Sequence, residues 1–74
     1  MIKVRIFGVV RLQTGVSCYE TNAGSLRELL GSVPGLTEKE ARDLVVLVNG
    51  KSVGWHYRFQ DGDEVALLAP AGGG

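Results

Sequence analysis

A single cysteine among 74 residues excludes an internal disulfide, and one histidine beside it leaves the chain short of any common structural zinc set. There is no basic excess either. Eight Lys and Arg balance eight Asp and Glu, so the electrostatic footprint of nucleic-acid binding is missing and no nucleic-acid partner is expected. No long apolar run occurs. The opening, Met1-Ile-Lys-Val-Arg-Ile-Phe7, carries charge inside an alternating pattern, which fits neither a signal peptide nor a membrane span. With a free cysteine and no targeting segment, a cytoplasmic chain without membrane association is the expectation. Repeats and interior linkers are absent too. What remains is one small domain, without staples, that must be held by apolar packing.

The apolar residues that are present fall into readable patterns. Ile2, Val4 and Ile6 alternate with Lys3, Arg5 and Phe7, the period of a half-buried strand. Gly8 and Gly15 bracket a loop, and Val16 to Glu20 reads as a second strand in a hairpin with the first. Ser25-Leu-Arg-Glu28 is a capping box, in which the glutamate should reach back to the serine N–H. Leu26, Leu29, Leu30 and Val33 follow as one helical stripe, which Pro34-Gly35 ends. Thr37-Glu-Lys-Glu40 repeats the capping signature and predicts a second short helix. Val45-Val-Leu-Val48 is a continuous β-branched run, as in a strand covered on both faces. Asn49-Gly50 is a strong hairpin signal, with Lys51 to Val53 as the return strand. Trp55, Tyr57 and Phe59 alternate through an irregular segment over one edge of the core. Asp61-Gly62-Asp63 turns the chain into a last strand, Glu64 to Leu68. The order β-β-α-β-β-β predicts an α+β domain, one main helix packed on a mixed sheet, over residues 1–68.

Residues 69–74, Ala69-Pro-Ala-Gly-Gly-Gly74, cannot build a core and read as a flexible tail. At average glycine usage, three glycines together at a chosen place occur by chance roughly once in three thousand. A carboxylate on an arm without side chains can enter an active site too narrow for any Cβ. Ordering such an arm costs conformational entropy, so a partner must hold Pro70, Ala71 and Gly72 by backbone contacts. Gly74, with Gly73 before it, then carries the reactive carboxylate. Two bulky residues point to where a partner would sit. Phe7 shares a face with Lys3 and Arg5, and Leu68 with Glu64, so both fall on sheet surface that should be wet.

Ile2-Lys-Val-Arg-Ile-Phe-Gly8, Arg11, the Val48-Asn49-Gly50 hairpin and Asp61-Gly-Asp-Glu-Val-Ala66, followed by Pro70 and terminal glycines, resemble the small subunit of molybdopterin synthase. The chain is also similar to the thiamin-pathway sulfur carrier. The resemblance spans all 74 residues and implies a β-grasp, ubiquitin-like fold. It further implies that the chain is not itself an enzyme. An E1-like adenylating enzyme would use ATP to activate Gly74, and a persulfide donor would convert it to a thiocarboxylate. In the molybdopterin pathway that sulfur is delivered within a complex with a large subunit, which docks on the face carrying Phe7 and Leu68. The chain alone would be a monomer. A tRNA-thiolation carrier, a protein modifier joined through Gly74, and a passive interaction module are the competing readings.

The remaining chemistry-bearing residues read as structural. Cys18 has no His or Lys beside it in sequence to lower its pKa and reads as a partly buried thiol. His56 reads as a surface residue without a paired ligand. Asp61, Asp63 and Glu64 fit a tight turn, since the rest of a calcium loop is missing. No bound cofactor or metal is expected.

Overall fold

The computed structural model describes residues 1–69; Pro70, Ala71, Gly72, Gly73 and Gly74 lie outside the described residues. Five strands and three short helices follow in the order β1 (Ile2–Ile6), α1 (Val9–Thr14), β2 (Cys18–Thr21), α2 (Leu26–Leu30), α3 (Glu38–Arg42), β3 (Val45–Val48), β4 (Lys51–Ser52) and β5 (Glu64–Leu68). The strands form one mixed sheet ordered β2-β1-β5-β3-β4. Its centre is a parallel pair, β1 against β5, with Val4 opposite Val65 and Ile6 opposite Leu67. Antiparallel β2 flanks β1, and antiparallel β3 flanks β5. This is the expected β-grasp architecture.

Alternation decides which face is buried. Ile2, Val4 and Ile6 of β1 and Val65 and Leu67 of β5 point to one side, where Val10, Leu26, Leu29, Leu30, Val33 and Ala41 pack against them. Among the described residues no helix lies over the opposite face. β3 corrects the sequence reading here: its outward residue Val45 is 43% exposed, so the run is covered on one face only.

The helical layer also differs from expectation: among the described residues three short helices take the place of one main helix. Ser25 caps α2 as predicted, its Oγ accepting from the Glu28 N–H at 3.2 Å. The Glu28 carboxylate, however, accepts from the Gly24 N–H and not from that of Ser25. Residues around Ser25 are held extended by a bridge to Arg58, which moves the available donor back by one position. α2 then stops after five residues. Gly31 has poor helix propensity, and the Ser32 hydroxyl donates to the Glu28 and Leu29 carbonyls at 3.3 and 3.0 Å in competition with the helix ladder. Val33 still reaches the core from the turn beyond. α3 carries a complete capping box between Thr37 and Glu40 and inserts Ala41 into the core.

Between Gly8 and Gly15 lies a helix and not a loop. Gly8 at φ 70° turns the chain off β1, and Gly15 at φ 72° closes α1 by donating to the Arg11 carbonyl. Six residues are too few to show a helical period, and Gly8 supplies no side-chain cap, so the sequence carries little sign of α1.

A polar latch closes the far side. Asp63 is buried, and its carboxylate accepts from Asn49 Nδ2 at 3.0 Å, the Tyr57 hydroxyl at 3.0 Å and the Gln60 N–H at 2.9 Å. It thereby ties the β3–β4 turn, the aromatic segment and the start of β5 together. Trp55, Tyr57 and Phe59 are half-buried over the core edge; Tyr57 and Phe59 meet edge to face at 5.5 Å, and the Arg42 guanidinium lies 4.6 Å from the Trp55 ring centre. The Gln60 N–H bond, with Asn49 and Tyr57 adding to it, holds the Asp63 carboxyl below its ordinary range against the opposing cost of desolvation. The same contact raises the Tyr57 hydroxyl, because ionising it would forfeit the bond to Asp63 and face a carboxylate.

Three outcomes follow from this packing. Leu29 is fully buried, so Leu29→Ala should cost about 2–5 kcal/mol in urea unfolding. The Tyr19 hydroxyl is buried without a partner, so Tyr19→Phe should leave stability unchanged or raised. A lowered Asp63 pKa means that its stabilisation is present above the ordinary carboxylate range and is lost as pH falls through the lowered folded value. A raised Tyr57 pKa means stabilisation present below the ordinary phenol range and lost as pH rises through the raised value. Denaturation across pH should therefore show both limbs in the wild type and shallower ones in Asp63→Asn. Identical limbs would dissociate the latch from pH stability.

Candidate functional site

Strand register arranges the uncovered face in rows. Farthest from the tail, Glu20, Lys3 and Glu64 sit directly opposite one another on β2, β1 and β5, a row of alternating charge. The next row crosses all five strands: Cys18, Arg5, Ala66, Leu47 and Ser52. Arg5 leans toward Glu64 at 3.9 Å, both side chains being more than half exposed. At the last level Leu68 faces Val45 across β5 and β3, and Phe7 follows Ile6 at the end of β1, its N–H donating to the Leu67 carbonyl at 3.0 Å. Polarity thus falls along the strand direction and ends in an apolar row.

The parallel pairing of β1 and β5 gives this row its position. Both strands run to the same end of the sheet, so Phe7 and Leu68 lie together where the chain leaves the fold through Ala69. Phe7 is 44% exposed and Leu68 half-buried. α1 departs from the same end, and its Leu12 is 78% exposed. Beside the row, Arg5, Phe7, Leu47, Glu64 and Ala66 line a shallow depression of about 370 Å³ that extends to the Asn49-Gly50 turn. Sequence reasoning placed Phe7 and Leu68 on this face. It missed Val45, Leu47 and Leu12. For Val45 and Leu47 the signal lay in the uninterrupted apolar run of β3, which reads equally well as burial on both faces.

The other candidates are dispersed. Cys18 is exposed, which corrects the expectation of a partly buried thiol: β2 is an edge strand, and its outward position has nothing above it. His56 is exposed, as expected. The three acidic residues of the turn face three different partners. Asp61 pairs with the Met1 ammonium group, Asp63 with the latch, and Glu64 with Arg5. Among the described residues no group of three His, Cys, Asp or Glu side chains is placed to hold a metal, and no helix is long and apolar enough to cross a membrane. Gly74, Gly73, Gly72, Ala71 and Pro70 fall outside the described residues, so what the structure contributes to the site is the surface from which that segment departs.

An exposed apolar row at the point where the chain passes beyond Ala69 is a surface suited to docking. Comparison with known proteins agrees with this architecture. No curated protein matches the sequence. Among solved structures, a chain of the complex of subunits 1 and 2 of molybdopterin-converting factor from Helicobacter pylori superposes with a TM-score of 0.70 at 26% identity, covering 99% of this chain and 97% of that one. SAMP1 of Haloferax volcanii superposes with a TM-score of 0.75 at 19% identity, covering 99% and 98%, a likeness of fold. The model of the ThiS family matches residues 4–74. That match takes in the uncovered face, the latch and the glycine-rich end together, and the chain belongs to the ThiS family.

Proposed function

We propose that this protein is a sulfur carrier for molybdopterin biosynthesis and that its reactive group is the carboxylate of Gly74. A carboxylate is a poor electrophile. In the proposed reaction it attacks the α-phosphorus of ATP in an E1-like partner, expelling pyrophosphate and forming an acyl-adenylate. The outer sulfur of a persulfide displaces AMP, and a thiol then cleaves the resulting acyl disulfide, leaving a thiocarboxylate and a disulfide. A large subunit accepts the carrier and directs the sulfur to a pterin precursor. This chain supplies the reactant and the docking surface; its partners supply the acid–base groups and the electrostatic stabilisation.

The observation that carries the proposal is the apolar row of Phe7, Leu68 and Val45 at the mouth of the tail, within a chain of the ThiS family. A partner seated there holds the segment beyond Ala69 at its own active site. The Helicobacter pylori structure, a complex of subunits 1 and 2 of a molybdopterin-converting factor, supports a large-subunit partner. Carriers for thiamin or tRNA thiolation would use the same terminus with another recipient.

The protein, an E1-like adenylating enzyme from the same source, ATP and a persulfide donor should together give a mass gain equal to sulfur replacing oxygen. Deleting Gly74 should abolish it. An unchanged mass, with the enzyme active on another carrier, would leave only the interaction-module reading. In the same assay Phe7→Asp and Leu68→Asp should raise KM about thirtyfold or more, the usual size for a hot-spot residue. Their stability should shift by no more than about 1 kcal/mol, because the positions are already partly wet.

A further inference from the structure

The β3–β4 turn has a chemistry that the carrier reading does not use. Asn49 and Gly50 both take positive φ, 52° and 81°, and Asn49 is the one such non-glycine among the described residues. The turn is exposed, and nothing lies within 4 Å of the position a Gly50 Cβ would occupy, so water reaches it freely. An Asn-Gly pair is also reactive. The glycine nitrogen has no neighbouring side chain to hinder its approach to the asparagine Cγ, and closure gives an unstrained five-membered imide. Whether the pair reacts depends on where the amide is held.

Here one end of that amide is bound to Asp63, just before β5, and the other to Glu64, the first residue of β5. Nδ2 donates to Asp63 Oδ1 and Oδ1 accepts from the Glu64 N–H, each at 3.0 Å, while the Asn49 N–H donates to the Glu64 carbonyl at 2.8 Å. Asp63 is itself fixed by the Tyr57 hydroxyl and the Gln60 N–H. Cγ is thus pinned toward β5 and must swing away before the Gly50 nitrogen can reach it.

We propose that Asn49 is a spontaneous deamidation site whose rate is set by the Asp63 latch. When the latch opens, the Gly50 nitrogen bonds to Asn49 Cγ and gives up its proton to water. The Cγ–Nδ2 bond then breaks and ammonia leaves. Water adds at either imide carbonyl, and the ring opens to aspartate or isoaspartate. Water is the one co-reactant, and nothing is oxidised or reduced. In the product a carboxylate replaces the Nδ2 donor and faces the Asp63 carboxylate, so the latch loses a hydrogen bond and gains a like-charge contact. Asn49 also borders the depression beside Arg5 and Phe7, which places the new charge at the edge of the docking face. The inference rests on the turn geometry and is independent of the sulfur-carrier reading.

The test is peptide mapping by mass spectrometry of protein held at neutral pH, following the mass gain of amide-to-acid conversion at Asn49. The folded wild type should react about tenfold or more slowly than the same chain in urea. Asp63→Ala and Tyr57→Phe should each speed the folded chain by about tenfold, the factor that one lost hydrogen bond gives in a local opening equilibrium. Tyr57→Phe keeps the test open if Asp63→Ala fails to fold. Leu29→Ala destabilises the core but leaves the latch intact, and should accelerate the reaction far less than either latch variant. Equal rates in folded and unfolded wild type, unchanged rates in the latch variants, or acceleration by Leu29→Ala equal to theirs would each overturn the proposal.

Discussion

The parallel contact between β1 and β5 is the constraint on which the rest of this structure depends. It joins the first and last strands at the centre of the sheet and contributes Val4, Ile6, Val65 and Leu67, four of the most deeply buried side chains. Being parallel, it also sends both strand ends to the same side. A hairpin between these strands would have put Phe7 and Leu68 at opposite ends of the fold. Stability and the geometry of the candidate site therefore come from one pairing: the buried faces of β1 and β5 hold the domain, and their outward residues place an apolar row where the tail begins.

One face of the sheet is left without a helical cover, and this departs from how a domain of this size would best protect itself. A small chain has little apolar area to spare. Covering Val45, Leu47 and Phe7 would add burial, yet the three helices are all spent on the opposite face. The exposure is graded: charge pairs occupy the level away from the tail, and bulky apolar groups the level beside it. Random leakage of hydrophobes to the surface would show no such order along the strands. The proposed docking role would account for it, because a permanent cover would have to be displaced each time a partner bound.

Much of this was legible from the chain alone. Period-2 alternation in β1 and β5 assigned every side chain to its correct face, and from that Phe7 and Leu68 emerged as outliers. Ser25 and Thr37 marked the starts of α2 and α3, and Asn49-Gly50 marked its turn, because capping and positive φ are local demands. The failures concern what local pattern does not encode. α1 was invisible because two glycines with positive φ shape it and it is too short to show a period. α2 looked longer than it is because Val33 keeps its place in the apolar stripe although Gly31 and Ser32 have already ended the helix. β3 looked buried on both faces, and Cys18 half-buried, because a residue's neighbour across the sheet depends on tertiary order. The five residues on which the proposed chemistry rests were singled out by composition and by resemblance, and the fold adds the surface beside them.

The latch shows how a chain with a single cysteine, and so no internal disulfide, fastens its longest irregular stretch. Residues 53 to 63 contain no strand of the sheet, and apolar contacts from Val53, Trp55, Tyr57 and Phe59 reach only part of the way into the core. A buried carboxylate with three donors can fix such a segment in one geometry, since each donor approaches from a different piece of chain. The arrangement works only if it is complete, because a buried charge that loses a donor turns from a tie into a penalty. Specifying the segment in this way therefore concentrates its order in a few polar atoms, and Asn49 is the member of the set that contributes its side-chain amide from an exposed turn.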